Sequence, residues 1–402
     1  MGDAQSMAVP RLFAFLALLL AIPAAAEAQP QVQNAKAALA EDAAQYAARF
    51  GVSQQEAERR LTAQEATVAT TDAIAREFSD RLAGISIEHS PSYRIVVLLT
   101  GDQLVADRSA DGVPVIFRTG AKASHAQGIM ALRRHLIDLR AALPNTHGAG
   151  YDQRTGEVVL LVRSEDVQRL GADAIRADAE RVSGVPVRVV VNDLRESNMS
   201  LAGGGRLEGV QGGHRQLCTA GFVVTDGSRD AIATAAHCPD ELTYMGGDDP
   251  DVPLPFAGQW GAGYQDVQVN LSSGQLDPVF YADRAAGSLR SVATWRNLTS
   301  TRAGDFICHW GESSHYSCGI VELTDYAPPG TLCGGACMPN WVTVAGSQCV
   351  AGDSGGPVFS GEIAFGIAKG INRRPDGSCA FYYYMSTDYL PTPWRLRYAG
   401  DR

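Results

Sequence analysis

The hexapeptide Gly352-Asp353-Ser354-Gly355-Gly356-Pro357 sets a serine among glycines. A serine hydroxyl is a weak nucleophile at neutral pH and needs a base beside it. It also needs backbone N–H groups aimed at the oxyanion that forms as it attacks a carbonyl. The glycines permit a tight turn and close approach of a substrate chain. Upstream, Thr234-Ala235-Ala236-His237-Cys238 follows a strand-like run and offers an imidazole base. A third group must fix the imidazole tautomer. Asp266, in Tyr264-Gln265-Asp266-Val267-Gln268-Val269, starts an alternating run, as a buried orienting carboxylate would. Asp248, Asp249, Asp251 and Asp277 are rivals for that role, with solvated loop charge as the plain alternative.

TAAHC and GDSGGP, in that order, resemble the chymotrypsin-type serine proteases, and most closely the secreted bacterial branch of alpha-lytic protease and the streptogrisins. The run LCTAGFVVT from Leu217 to Thr225 resembles the start of their mature domain. Cys308-His309-Trp310-Gly311 up to Cys318-Gly319 resembles their second disulfide loop. The likeness covers about residues 200–390, and residues 29–197 resemble their propeptides more loosely. The order His, Asp, Ser agrees with this branch and not with subtilisins or α/β-hydrolases.

The resemblance implies an all-β mature domain of two six-stranded antiparallel barrels over residues 201–402, preceded by an α/β propeptide at 29–200 that assists folding and inhibits. It implies His237, Asp266 and Ser354 as a triad, with the Gly352 and Ser354 N–H groups as the oxyanion hole. Ala351, Ala368, Lys369 and Gly370 fall where the family meets substrate. Cys218 pairs with Cys238, Cys308 with Cys318 and Cys349 with Cys379, which leaves Cys333 and Cys337 for each other. The implied protein is a monomeric endopeptidase that needs no metal or organic cofactor and meets a protein or peptide substrate and its own propeptide. A zinc site is the rival use of the cysteines, and an inactive protease-like binding module the rival use of the fold.

Three positions depart from the pattern. His309 stands where the bacterial relatives carry an arginine that pairs with the aspartate before the serine. It can bond Asp353 itself, or Arg302 can substitute. Lys369 replaces a serine that supports the catalytic aspartate, and is expected at the pocket rim or in solvent. Ser347-Gln348-Cys349-Val350-Ala351 lacks the buried acid of trypsin-like pockets, so a neutral or apolar side chain is expected before the cut.

The elements that must position these residues change character along the chain. Arg11, the apolar run Leu12 to Ile22 and Ala26-Glu27-Ala28 read as an export signal over residues 1–28, too short to span a bilayer. A buried helix is the alternative. Residues 29–200 are cysteine-free and mixed α/β. Ala35 to Phe50 is helical with Gly51 as its stop. Ser53-Gln54-Gln55-Glu56 is a capping box that opens a second helix running to Ala83. Residues 125–142 and Glu165 to Arg181 read as further helices, and Tyr93–Leu99, Glu157–Arg163 and Val187–Val191 as strands. After about residue 198, Gly203-Gly204-Gly205 and Gly212-Gly213 mark a flexible stretch. Short strands then dominate, until a terminal helix from Thr387 to Tyr398. Autocatalytic cleavage belongs near Asn198–Leu201, where Met199 and Leu201 are apolar.

Composition adds exclusions. Of 402 residues, 45% are hydrophobic and 19% charged, which is globular. The net charge of −10 disfavours general binding of nucleic acid or anionic membranes. From residue 201 onward, 13 basic minus 20 acidic side chains give −7 of it. All eight cysteines follow residue 217, and export makes them disulfide partners.

Overall fold

The structure, a computed structural model, describes residues 31–142, 148–191, 195–198, 204–245, 251–282, 288–329 and 332–401. The expected export signal, Met199 and Leu201 of the expected junction, and Asp248 and Asp249 lie outside these residues.

Ahead of residue 200 the chain is α/β. Helix Ala35–Phe50 starts on an Asn34 cap and ends at Gly51, whose φ of 64° suits a residue without a side chain. Ser53 accepts from the Glu56 N–H, which is half of the expected capping box. The Glu56 carboxylate turns instead to Arg59 and Arg60. The long second helix is a correction: Gln54–Ala66 and Val68–Glu77 are separate helices, and Leu82–Glu88 is a strand. Ile85 and Ile87 are buried from that strand, so its apolar pairing outweighs helical continuation to Ala83. The expected helix Glu165 to Arg181 likewise breaks at Gly171 into Ser164–Leu170 and Ala172–Ser183. Two sheets complete the region: Leu82–Glu88, Arg94–Thr100, Val113–Ala121 and Arg108–Ala110; and Gly148–Asp152, Glu157–Val162 and Val187–Val191.

Beyond residue 204 strands dominate. Gly212 and Gly213, with φ of 60° and 79°, form the tight turn of a hairpin between Arg206–Gln211 and His214–Thr219 rather than a loose stretch. Six antiparallel strands close a barrel. Ile363–Arg373 pairs Pro357–Ser360, which pairs Phe306–Gly311, then His315–Val321, Val342–Ala345 and Cys379–Ser386, which returns to Ile363–Arg373. Ile307, Val342, Val344, Val358, Phe365 and Tyr382 are buried together there. The strands from Arg206 to Leu271 pair as two sheets, one of four strands and one of five that includes Arg395–Leu396. The expected terminal helix is absent from the described residues: Thr387–Tyr389 is a single 3₁₀ turn and Arg395–Leu396 a short strand. Pro391 and Pro393 remove the N–H groups that a helix there would need. None of the described helices is long and apolar enough to cross a membrane.

The two regions share a buried polar contact. Arg290, with no exposed surface, donates to Asp42 at 2.9 Å. Arg296 meets Glu65 at 2.6 Å, and Arg302 pairs with Asp72. Gln64 accepts from the Phe306 N–H at 2.8 Å.

Candidate active site

His237 lies in the turn that follows strand Asp230–Thr234. The Cys218–Cys238 disulfide anchors the next residue. Strand Val267–Leu271 pairs antiparallel with Asp230–Thr234, with Thr234 opposite Gln268. That register brings Asp266, immediately before the strand, under the imidazole. Ser354 sits in the turn entering Pro357–Ser360. Gly355 has φ of 87°, and a Cβ there would overlap Thr234 Oγ1 and the Thr219 carbonyl. The glycine is therefore required both by conformation and by space.

The three side chains form one line. His237 Nδ1 is 2.9 Å from Asp266 Oδ2, and His237 Nε2 is 2.8 Å from Ser354 Oγ. Burial pushes the Asp266 carboxyl up, but Lys369 and then His237 outweigh it and hold it at about 2. The ionised carboxylate accepts from Nδ1–H. Nε2 is left to accept from the Ser354 hydroxyl, the geometry of a base beside a nucleophile. Neither the Gly352 nor the Ser354 N–H bonds another described residue. Gly352, with φ of 130°, needs the freedom of glycine.

Lys369 lies elsewhere than expected. It is 1% exposed, and its Nζ is 3.2 Å from Asp266 Oδ2. It is neither in solvent nor at a pocket rim. Ala368 is tied to the serine turn: its carbonyl accepts from the Gly355 N–H at 2.8 Å and its N–H donates to the Gly356 carbonyl at 2.9 Å. Ala351 is exposed, one residue before the buried Gly352.

His309 and Asp353 are both fully buried, 3.8 Å apart. Their hydrogen bonds go elsewhere. His309 meets Ser314 Oγ and Ser347 Oγ, while Asp353 accepts from the Ser314 and Val350 N–H groups. Arg302 does not substitute, because it is paired with Asp72. The eight cysteines form four disulfides: Cys218–Cys238, Cys308–Cys318, Cys333–Cys337 and Cys349–Cys379.

Two features had weak signals in the sequence. Trp341 packs its ring 5.1 Å from Lys369 Nζ, and the sequence marked Lys369 only as a replacement for the serine of the related proteases, with no signal for Trp341. Residues Arg195–Asn198 add an antiparallel strand to Ile363–Arg373, with Asn198 opposite Gly370. RESN has no apolar alternation, so nothing in it forecast pairing.

Comparison with known proteins finds streptogrisin-C of Streptomyces griseus 28% identical over 156 residues, which is 38% of this chain and 32% of that protein. The chain thus spans about a third of the length of that relative. Thermobifida fusca protease A is 21% identical, with a TM-score of 0.39, covering 49% of this chain and 98% of that one. The Nocardiopsis protease is 19% identical, with a TM-score of 0.38 and coverage of 49% and 98%. No family model matches. Over those 156 residues the chain is thus similar to a streptogrisin.

Proposed function

We propose that this chain is a secreted serine endopeptidase made as a proenzyme. The observation that carries the reading is the unbroken line Asp266–His237–Ser354, at 2.9 and 2.8 Å. In the proposed reaction His237 Nε2 takes the Ser354 proton as Oγ attacks the scissile carbonyl. The oxyanion of the tetrahedral intermediate is received by the Gly352 and Ser354 N–H groups. The imidazolium, held by Asp266, then protonates the leaving amine as the C–N bond breaks. Water, deprotonated by the same imidazole, attacks the acyl carbonyl, and the imidazolium returns the proton to Ser354 Oγ as the C–O bond breaks and the acid leaves. In this reading Gly370 and the neighbouring backbone receive the substrate, two antiparallel barrels frame the cleft, and a neutral or apolar side chain precedes the cut.

Residues 29–200 act in this reading as a propeptide that assists folding and then inhibits. In support, Arg195–Asn198 already occupies the edge of Ile363–Arg373 at Gly370. An added strand there competes with a substrate backbone for the same N–H and C=O groups. Cleavage near Asn198–Leu201 frees that edge. Four disulfides and the apolar leader accord with export.

The test exposes the secreted protein to a fluorophosphonate probe and follows intact mass. The expected result is a label on Ser354, lost in His237→Ala, with a fragment beginning near residue 200. A folded, disulfide-intact protein that takes no label would instead be a protease-like binding module.

A further inference from the structure

We propose that Lys369 is a positioning residue: its ammonium grips Asp266 and, through that carboxylate, keeps His237 a neutral base into more acidic conditions. This rests on the reading of His237 as the general base.

The placement is built into the backbone. The strand Ile363–Arg373 shifts register against Cys379–Ser386 between Ala368, opposite Tyr384, and Gly370, opposite Tyr383. Lys369 is the extra residue of that bulge, a device that re-aims a side chain. Its Nζ reaches the same oxygen, Oδ2, that receives His237 Nδ1. Trp341, fully buried, sits beside the ammonium with its ring centroid 5.1 Å away. A buried cation is tolerated when it is paired and faces an aromatic ring.

The other titratable groups nearby are committed elsewhere. Asp353, beside Ser354, accepts from the Ser314 and Val350 N–H groups. Asp240, after His237, accepts from Gln259 at 3.2 Å. Asp388, beyond Cys379–Ser386, accepts from Leu298 and Trp295. Tyr384 lies towards Arg296 and Asp305. Tyr383 packs its ring on Trp341 and Tyr326. Tyr389 packs on Tyr264. Lys369 is thus the cation that shares Asp266 with His237 among the described residues.

The sign follows from charge. A neutral donor at this position would leave the full carboxylate charge to stabilise an imidazolium. An ammonium offsets part of that charge and also repels the imidazolium. Both effects favour neutral His237.

The experiment uses protein secreted from the full chain, as wild type, Lys369→Met, Lys369→Ser and Lys369→Arg. The acidic limb of kcat/KM is expected to move up by about one pH unit in the Met and Ser variants. Lys369→Arg is expected to hold it near wild type. The Ser variant retains a hydrogen-bond donor and covers the case in which the Met variant does not fold. An unmoved limb in the Ser variant, or an Arg variant that moves as far as it, overturns the proposal. A second readout needs no turnover. In a Ser354→Ala background, the Cε1 resonance of His237 is titrated with and without Lys369→Ser. Movement of that titration without hydrolysis by the wild type keeps the role of Lys369 and sinks the protease reading. Hydrolysis without movement does the reverse.

Discussion

Arg290 and Asp42 meet at 2.9 Å across the contact between the two regions, and neither is more than 1% exposed. The Asp42 carboxylate also accepts from the Tyr316 hydroxyl and the Gly361 N–H. The Arg290 Nε donates to Gln33 at 2.9 Å. Burial disfavours the Arg290 charge, and Asp42 with Tyr316 more than offsets it, so the guanidinium is held charged. Removing one partner strands the other in a low dielectric. Asp42→Ala is therefore expected to destabilise the intact chain by about 3–5 kcal/mol. Urea titration in a Ser354→Ala background measures it. Asp42→Leu with Arg290→Met is expected to recover most of the loss, because an apolar pair strands no charge.

Asp266 has two partners, so its removal has two separable consequences. Asp266→Asn is expected to lower kcat by about 10⁴-fold, because an amide does not fix the productive imidazole tautomer. It also leaves the Lys369 ammonium buried without its carboxylate, and the thermal midpoint is expected to fall. Adding Lys369→Met is expected to restore the midpoint and leave kcat low. Turnover that recovers along with stability would contradict these roles.

His89 makes the contact between the regions pH-sensitive. Its Nε2 donates to the Gly304 carbonyl at 2.7 Å, so its Nδ1 accepts from the Tyr46 hydroxyl at 2.7 Å. Both bonds use the neutral ring. Burial pulls its pKa down from 6.5 to about 4, against the opposing pull of the Gly304 carbonyl. The unfolded chain binds this proton first as pH falls. The stability that His89 contributes is complete above about 6.5 and is lost progressively towards about 4. Thermal midpoints of wild type and His89→Gln, compared across that window, are expected to converge as pH falls.

The disulfides differ in the loops they close. Cys349–Cys379 spans 30 residues and Cys333–Cys337 spans 4. Chain entropy gives about 4 kcal/mol for the longer loop and about 2 for the shorter. Paired Cys→Ser variants, compared by denaturant titration, are expected to follow that order.

Much of the site was legible because its chemistry is local. GDSGGP needs its glycines for one turn, and Gly355 meets Thr234 and Thr219 for that reason. His237 is set by the turn after one strand. Asp266 was the best of several candidates because it immediately precedes a buried strand. Lys369 was misread because its direction depends on a register shift against Cys379–Ser386, which no local pattern encodes. Arg195–Asn198 was missed for a related reason: it is a strand only because an edge is there to receive it. The Thr387 to Tyr398 helix failed because Pro391 and Pro393 remove N–H groups that it would need. The long second helix failed where sheet pairing claimed Ile85 and Ile87.

The burial of Lys369 also determines how the molecule meets amine-directed reagents. The other two lysines, Lys36 and Lys122, are exposed and precede residue 200. Acylating dyes, crosslinkers and amine-coupled supports will therefore attach to side chains of the N-terminal region and bypass the Lys369–Asp266 pair. A chain tethered through those two lysines presents the cysteine-bearing region unmodified, and after a cut near residue 200 that region would be held to the support only by contacts such as Arg290–Asp42 and Arg296–Glu65.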